Sequence, residues 1–143
     1  MTKLAEGSCL CGKVSYQITD SLNIFQYCYC SRCQKFTGSA HASNLLVAPE
    51  SFAWLSGTEW IGRYEHPDAK HFATCFCKNC GSSMPWLSKR GRSVIIPAGT
   101  LDTDPMVRPK WNIFCHSKAS WYVAPVELPS YAELPSKVDR GKA

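Results

Sequence analysis

Two segments of the chain, Cys28-Tyr29-Cys30-Ser31-Arg32-Cys33 and Cys75-Phe76-Cys77-Lys78-Asn79-Cys80, share the spacing C-x-C-x-x-C, and Cys9-Leu10-Cys11 precedes them. These three clusters hold eight of the nine cysteines, and Cys115 stands alone. Sulfur at this density serves either disulfides or metal. Met1–Ser8 lacks the apolar stretch of a secretion signal, so the chain is expected in the cytoplasm. In that reducing compartment clustered cysteines point to metal, and an odd count leaves a disulfide framework incomplete.

Zinc explains the spacings. It takes about four soft ligands in a tetrahedron, with thiolate sulfur at about 2.3 Å. C-x-C on an extended segment turns two side chains to one face. C-x-x-C on a tight turn folds two sulfurs toward one point, and Gly81 after Cys80 suits such a turn because glycine accepts positive φ without steric cost. Cys9, Cys11, Cys77 and Cys80 make one complete four-thiolate set, which leaves Cys28, Cys30 and Cys33 as three ligands with an open fourth position. Spacing equally allows Cys75 to fill that position or to exchange with another member of its cluster. A closed site is structural, whereas a three-ligand site leaves room for water or substrate.

The rest of the sequence describes the body that carries these sites. With 143 residues, 45% hydrophobic and 19% charged, the chain is long enough for one globular domain with a real core. It reads as a single domain over 1–143, with a core of about 6–129 and a C-terminal tail over 130–143. The net charge of +5 is mild and scattered. Its densest group, Lys89, Arg90 and Arg92, reads as a solvated loop, so a nucleic-acid partner is not expected. Leu45–Pro49 and Val94–Pro97 are far too short to cross a bilayer. Val14, Tyr16 and Ile18 alternate with polar residues as in a half-buried strand. Further strands are expected over His41–Val47, Thr58–Glu65, Lys70–Phe76, Ser93–Ala98, Trp111–His116 and Trp121–Ala124, with a short helix over Gln34–Phe36 and one turn at Pro49–Phe52. Many short strands punctuated by Gly and Pro favour a mainly β fold, an antiparallel sandwich or open barrel with short helical turns.

Gly7–Tyr16, Tyr27–Ala40 and Phe76–Ser82 carry a resemblance to the glutathione-dependent formaldehyde-activating enzyme family, also called the CENP-V/GFA domain. Pro109–Trp121, with Ile113-Phe114, Ser117-Lys118-Ala119 and Trp121, resembles that family's C-terminal segment. The resemblance implies twisted antiparallel sheets of Mss4-like architecture, a structural zinc on Cys9, Cys11, Cys77 and Cys80, and a catalytic zinc on Cys28, Cys30 and Cys33. It also implies a carbon–sulfur lyase that joins glutathione to formaldehyde as S-hydroxymethylglutathione. Two positions depart from the family pattern. Tyr29 stands where His is common, and its side chain is expected to point away from the metal. Asn112 also stands in place of a frequent His, which bears on substrate choice.

The expected partners are therefore a small-molecule thiol such as glutathione and a small aldehyde, with two zinc ions per chain. Coordination would lower the pKa of the thiol so that it reacts as thiolate. Arg32 and Lys35 are the nearest cations for glutathione's carboxylates. His41 is a candidate acid, base or fourth ligand, although a partly buried histidine is the commoner outcome. Cys75 is expected as a small buried residue, Cys115 as part of a core strand, and Trp54, Trp86 and Trp121 as core or cleft wall. The competing function is a non-enzymatic zinc module for a protein or nucleic-acid partner, with a saturated second site and no cleft above it.

Overall fold

Val14, Tyr16 and Ile18 are fully buried while Ser15 and Gln17 are not, which is the period-2 signature of a strand packed on one face. The structure, a computed structural model, describes residues 3–20 and 24–142. Met1 and Thr2 of the segment read for a secretion signal, and Ala143 of the tail, lie outside the described residues.

Eleven strands form three sheets among the described residues. The first sheet joins β1 (Ala5–Ser8), β2 (Ser15–Ile18) and β5 (Phe52–Ser56). The second is ordered β11-β3-β4-β10-β9, from Trp111–Ile113, Ile24–Cys28, Ala42–Val47, Val94–Pro97 and Trp86–Leu87. The third joins β6 (Ile61–Glu65), β7 (Ala73–Cys77) and β8 (Ser83–Met84). The pairings are antiparallel except that β11 runs parallel to β3. Helices α1 (Ser31–Thr37) and α2 (Lys137–Gly141) complete the regular structure, with five short 3-10 turns.

The central strands β4 and β10 of the second sheet are packed on both faces, and their sequence says why. Leu45, Val47, Val94 and Ile96 pack with Tyr16 and Ile18 of the first sheet. Their strand neighbours Leu46 and Ile95 face the other way, onto Ala73, Cys75, Met84 and Trp86. Unbroken apolar runs such as Val94–Ile96 are what a strand with two covered faces requires. Tyr16 brings a phenol into the first core, where its hydroxyl lies 2.6 Å from Thr100 Oγ1. Thr100 gives its own hydrogen to the Pro97 carbonyl, so Tyr16 is the donor. The phenol thus stays satisfied inside the core.

Several elements differ from the reading of the sequence, each for a local reason. Thr58–Trp60 forms a 3-10 turn before β6, because Gly57 at φ 79° turns the chain there. Lys70–Phe72 stays outside β7 as part of a loop that Lys89 Nζ ties down through the carbonyls of His66 and Ala69, at 2.8 and 2.7 Å. Phe114 takes φ 56° and ends β11, so Cys115 is an exposed residue of a 3-10 turn and not part of a core strand. Trp121 ends a turn and residues 122–124 are irregular, with Trp121 67% exposed. The helix is longer than Gln34–Phe36, since Cys30 caps it from before Ser31.

Candidate metal centre and cavity

The first sulfur cluster is built by two tight turns. Cys9 and Cys11 sit on a turn after β1, closed by Gly12 N–H donating to the Cys9 carbonyl at 3.0 Å, and not on an extended strand. Cys77 ends β7, and Gly81, at φ 78°, donates to its carbonyl at 2.8 Å, which folds Cys80 back toward it. Leu10 N–H donates to Ser82 Oγ at 2.9 Å and joins the two turns. The sulfurs of Cys9, Cys11, Cys77 and Cys80 lie within 4.8 Å of one another, with 3.5 Å between Cys9 and Cys11 and 3.9 Å between Cys11 and Cys77. A zinc tetrahedron with arms of about 2.3 Å has edges of about 3.8 Å, so this donor set fits the ion. Val14 N–H donates to Cys9 Sγ at 3.3 Å, and Cys80 Sγ lies 3.2 Å from Ser82 Oγ, both suited to stabilising thiolate. The Ser82 hydroxyl and backbone bring Cys80 down to about 5, and contact with the Asn79 side chain lowers Cys11.

The second cluster lies where β3 gives way to α1. Cys28 ends the strand, Cys30 is the helix N-cap, and Cys33 lies in the first turn. Cys33 N–H donates to Cys30 Sγ at 3.4 Å, so a sulfur takes the place usually held by a capping oxygen. The three sulfurs are also within 4.8 Å of one another. As bare sulfurs so close together they shift one another's ionisation in opposite directions. Cys30 is lowered to about 2 by the Cys28 thiol and then the Cys33 thiol. Cys28 is raised by Cys30, and Cys33 by Cys28 and Cys30, with burial adding to both. Such a trio readily exchanges its protons for a cation. Gln34 Nε2 donates to the carbonyls of Tyr29 and Ser117, at 2.7 and 3.0 Å, and pins α1 to the chain beyond β11.

Cys75 joins neither cluster. It is buried in the second core, burial pushes its thiol up, and Arg63 beside it pulls the other way. His41 is stacked on Tyr27 and Tyr29, with ring centroids 4.4 and 5.0 Å away, and its Nδ1 lies 3.2 Å from the Ala42 carbonyl. It is not a member of either sulfur group. Tyr29 is buried, its hydroxyl 3.1 Å from that of Tyr122, and its side chain packs on His41 and Tyr122.

A cavity of about 840 Å³ opens on Cys28, Cys30 and Cys33. Its floor is one face of the second sheet: Cys28 and Gln26 on β3, Asn44 and Leu46 on β4, Ile95 on β10, Trp86 on β9 and Ile113 on β11. Its rim carries Arg32, Lys70, His71 and Arg92 against one carboxylate, Asp68. Of the two cations named from sequence proximity, Arg32 reaches the cavity, whereas Lys35 faces solvent nearer the helix C-terminus. Lys70 and Arg92 were not legible as site residues, because they come from loops far along the chain. Trp86 lines the cavity, Trp54 packs against both cores, and Trp121 stands in solvent.

The family model described as glutathione-dependent formaldehyde-activating enzyme matches residues 4–117, which span both sulfur clusters and the whole floor of the cavity. The chain belongs to this family. A Halomonas elongata protein named "Putative glutathione-dependent formaldehyde-activating enzyme" is 28% identical over 129 residues, covering 82% of this chain and 79% of its own. The crystal structure of a Rhodobacter sphaeroides protein superposes with a TM-score of 0.59 at 19% identity, over 74% of this chain and 98% of that one. That likeness concerns the fold alone. For this member of the formaldehyde-activating family, the two sulfur groups are, among the described residues, clusters that could hold metal ions.

Proposed function

We propose that the chain is a zinc-dependent enzyme of carbon–sulfur lyase type that adds a thiol, glutathione or one like it, to formaldehyde or a related small aldehyde. The observation that carries this is the cavity directly above the three-sulfur group. In this reading Cys9, Cys11, Cys77 and Cys80 hold a structural zinc, and Cys28, Cys30 and Cys33 hold a catalytic one. The bound ion supplies the positive charge that keeps an added thiol deprotonated at neutral pH.

The chain's own residues do the rest. Cys28, Cys30 and Cys33 leave one side of their cluster open toward the cavity. Arg32, Lys70 and Arg92 give that side a net positive rim, suited to the two carboxylates of glutathione. Phe72, Trp86 and Ile95 keep the inner wall apolar, which limits competing water at the reacting carbon. A module that only binds a partner has no use for an open cavity over its metal group. The proposal also takes 1–143 as one unit, with its tail beyond about 129, and has it working in the cytoplasm, where nine free cysteines stay reduced. No helix among the described residues is long and apolar enough to cross a membrane.

Exchange NMR with glutathione and carbon-13 formaldehyde tests the reading, since it measures how fast the adduct forms and breaks at equilibrium. The wild-type protein should accelerate exchange, and Cys30→Ser should abolish that acceleration while keeping the far-ultraviolet circular dichroism. A Cys30→Ser protein that accelerates exchange as wild type does would sink the mechanism.

A further inference from the structure

The cavity floor contains a polar pair with no assigned purpose. Gln26 and Asn44 are direct cross-strand partners on β3 and β4, and both line the cavity. Cys28 lies two residues beyond Gln26 on the same strand, so the two share a face, about 7 Å apart along it. The floor around the pair is apolar, with Leu46, Ile95, Trp86 and Ile113. Both carboxamides are half-buried, so a polar ligand in the cavity can reach them.

Gln26 is also oriented. Trp111, its neighbour across the parallel pairing with β11, donates its indole N–H to Gln26 Oε1 at 2.9 Å. An indole N–H only donates, so the oxygen of the amide must face Trp111 and the NH2 group must face elsewhere. Among the described residues no hydrogen bond occupies Gln26 Nε2 or the Asn44 carboxamide. A pinned acceptor leaves the two N–H donors of Gln26 free of protein partners, on a cavity lining that also carries the sulfur group.

Resting on the function proposed above, we propose that the Gln26 and Asn44 amides receive the carbonyl oxygen of the aldehyde and stabilise it as it becomes an alkoxide. The thiolate sulfur forms a bond to the carbonyl carbon, the π pair of the C=O bond moves onto oxygen, and the amide N–H groups donate hydrogen bonds to that oxygen. The amides keep their hydrogens. Solvent water supplies the proton that completes the hydroxyl, replacing the one the thiol released, and nothing is oxidised or reduced. Donors fixed before the reaction stabilise such developing charge without reorganising. Trp111 acts as a positioning residue, since it meets the substrate only through Gln26.

Two measurements test this. In exchange NMR, Gln26→Leu and Asn44→Leu should each lower kcat by about 100-fold, the usual loss for one such donor, with KM for glutathione and metal content unchanged. Trp111→Phe should lower kcat less, by about threefold to tenfold, because the amide survives without its anchor. Both leucine variants retaining kcat within twofold of wild type would overturn the proposal. The second measurement does not depend on turnover. The glutathione–formaldehyde adduct forms spontaneously in solution, and nitrogen-15 NMR can follow the side-chain amides of Gln26 and Asn44. Their signals should move with the adduct beyond any shift that glutathione alone produces. Signals that respond to the adduct no differently than to glutathione would overturn the proposal even if the protein is an enzyme. A wild type that leaves exchange unaccelerated counts against the function and leaves the amide measurement to decide this inference.

Discussion

Arg92 stands two residues from Arg90 and three from Lys89, and neighbours in sequence do different work here. Lys89 holds the loop of His66 and Ala69 by two carbonyls, whereas Arg92 turns to the cavity. Arg92 and Lys70 are exposed and enter no ion pair among the described residues, so each is expected to contribute modestly, about 0.5–1 kcal/mol, to holding a carboxylate. The double variant Lys70→Glu with Arg92→Glu should raise KM for glutathione by about tenfold, more than for its diethyl ester, which lacks both carboxylates, in steady-state assays. Tyr16 allows a prediction about stability. Burial, helped by the charge of Asp102, raises its phenol well above the ordinary tyrosine value. An acid raised on folding favours the folded state below its unfolded pKa, about 10, and loses that contribution as pH climbs toward the folded value. Denaturant titrations should therefore show stability falling above pH 10, and the fall should be smaller in Tyr16→Phe. That variant should cost about 1 kcal/mol at neutral pH for the lost hydrogen bond.

Elements were legible where burial imposes a rhythm. The alternation Val14, Tyr16, Ile18 marked β2, and the runs Leu45–Val47 and Val94–Pro97 marked β4 and β10, because packing decides those positions. Strands β1, β3, β5, β8 and β9 escaped notice, being four or five residues long or shorter, with glycine, polar or cysteine positions in place of a clean pattern. The sulfur spacings marked metal-binding clusters but left the place of Cys75 open, which only the family resemblance assigned, and they could not show the cavity, whose rim comes from loops around residues 32, 70 and 92. The parallel pairing of β11 with β3 was equally hidden, although it sets Trp111 beside Gln26. Gly57 joins the first and third sheets under a tight constraint. A Cβ there would lie 1.9 Å from the Lys13 carbonyl oxygen, and the residue has φ 79°. Gly57→Ala should thus lose about 2 kcal/mol or more in chemical denaturation, through strain that a flexible side chain cannot relieve.

At the scale of the whole molecule, the four-sulfur group ties the turn after β1 to the end of β7, and so links the first sheet to the third. A zinc held there, as proposed, would contribute on the order of 10 kcal/mol to the folded state. A strong chelator should unfold the protein, and Cys11→Ser should abolish cooperative folding, whereas Cys30→Ser should lose one metal and keep a cooperative transition. On the proposed function the two groups serve separate ends, one holding sheets together and one facing a cavity. X-ray absorption at the zinc edge, read with metal content per chain, addresses that division directly. Two zinc ions per chain are predicted, with an average of about 3.5 sulfur neighbours per ion rising toward about 4 when glutathione is added. One zinc per chain, or a sulfur count that glutathione leaves unchanged, would contradict an open thiol-accepting site on Cys28, Cys30 and Cys33.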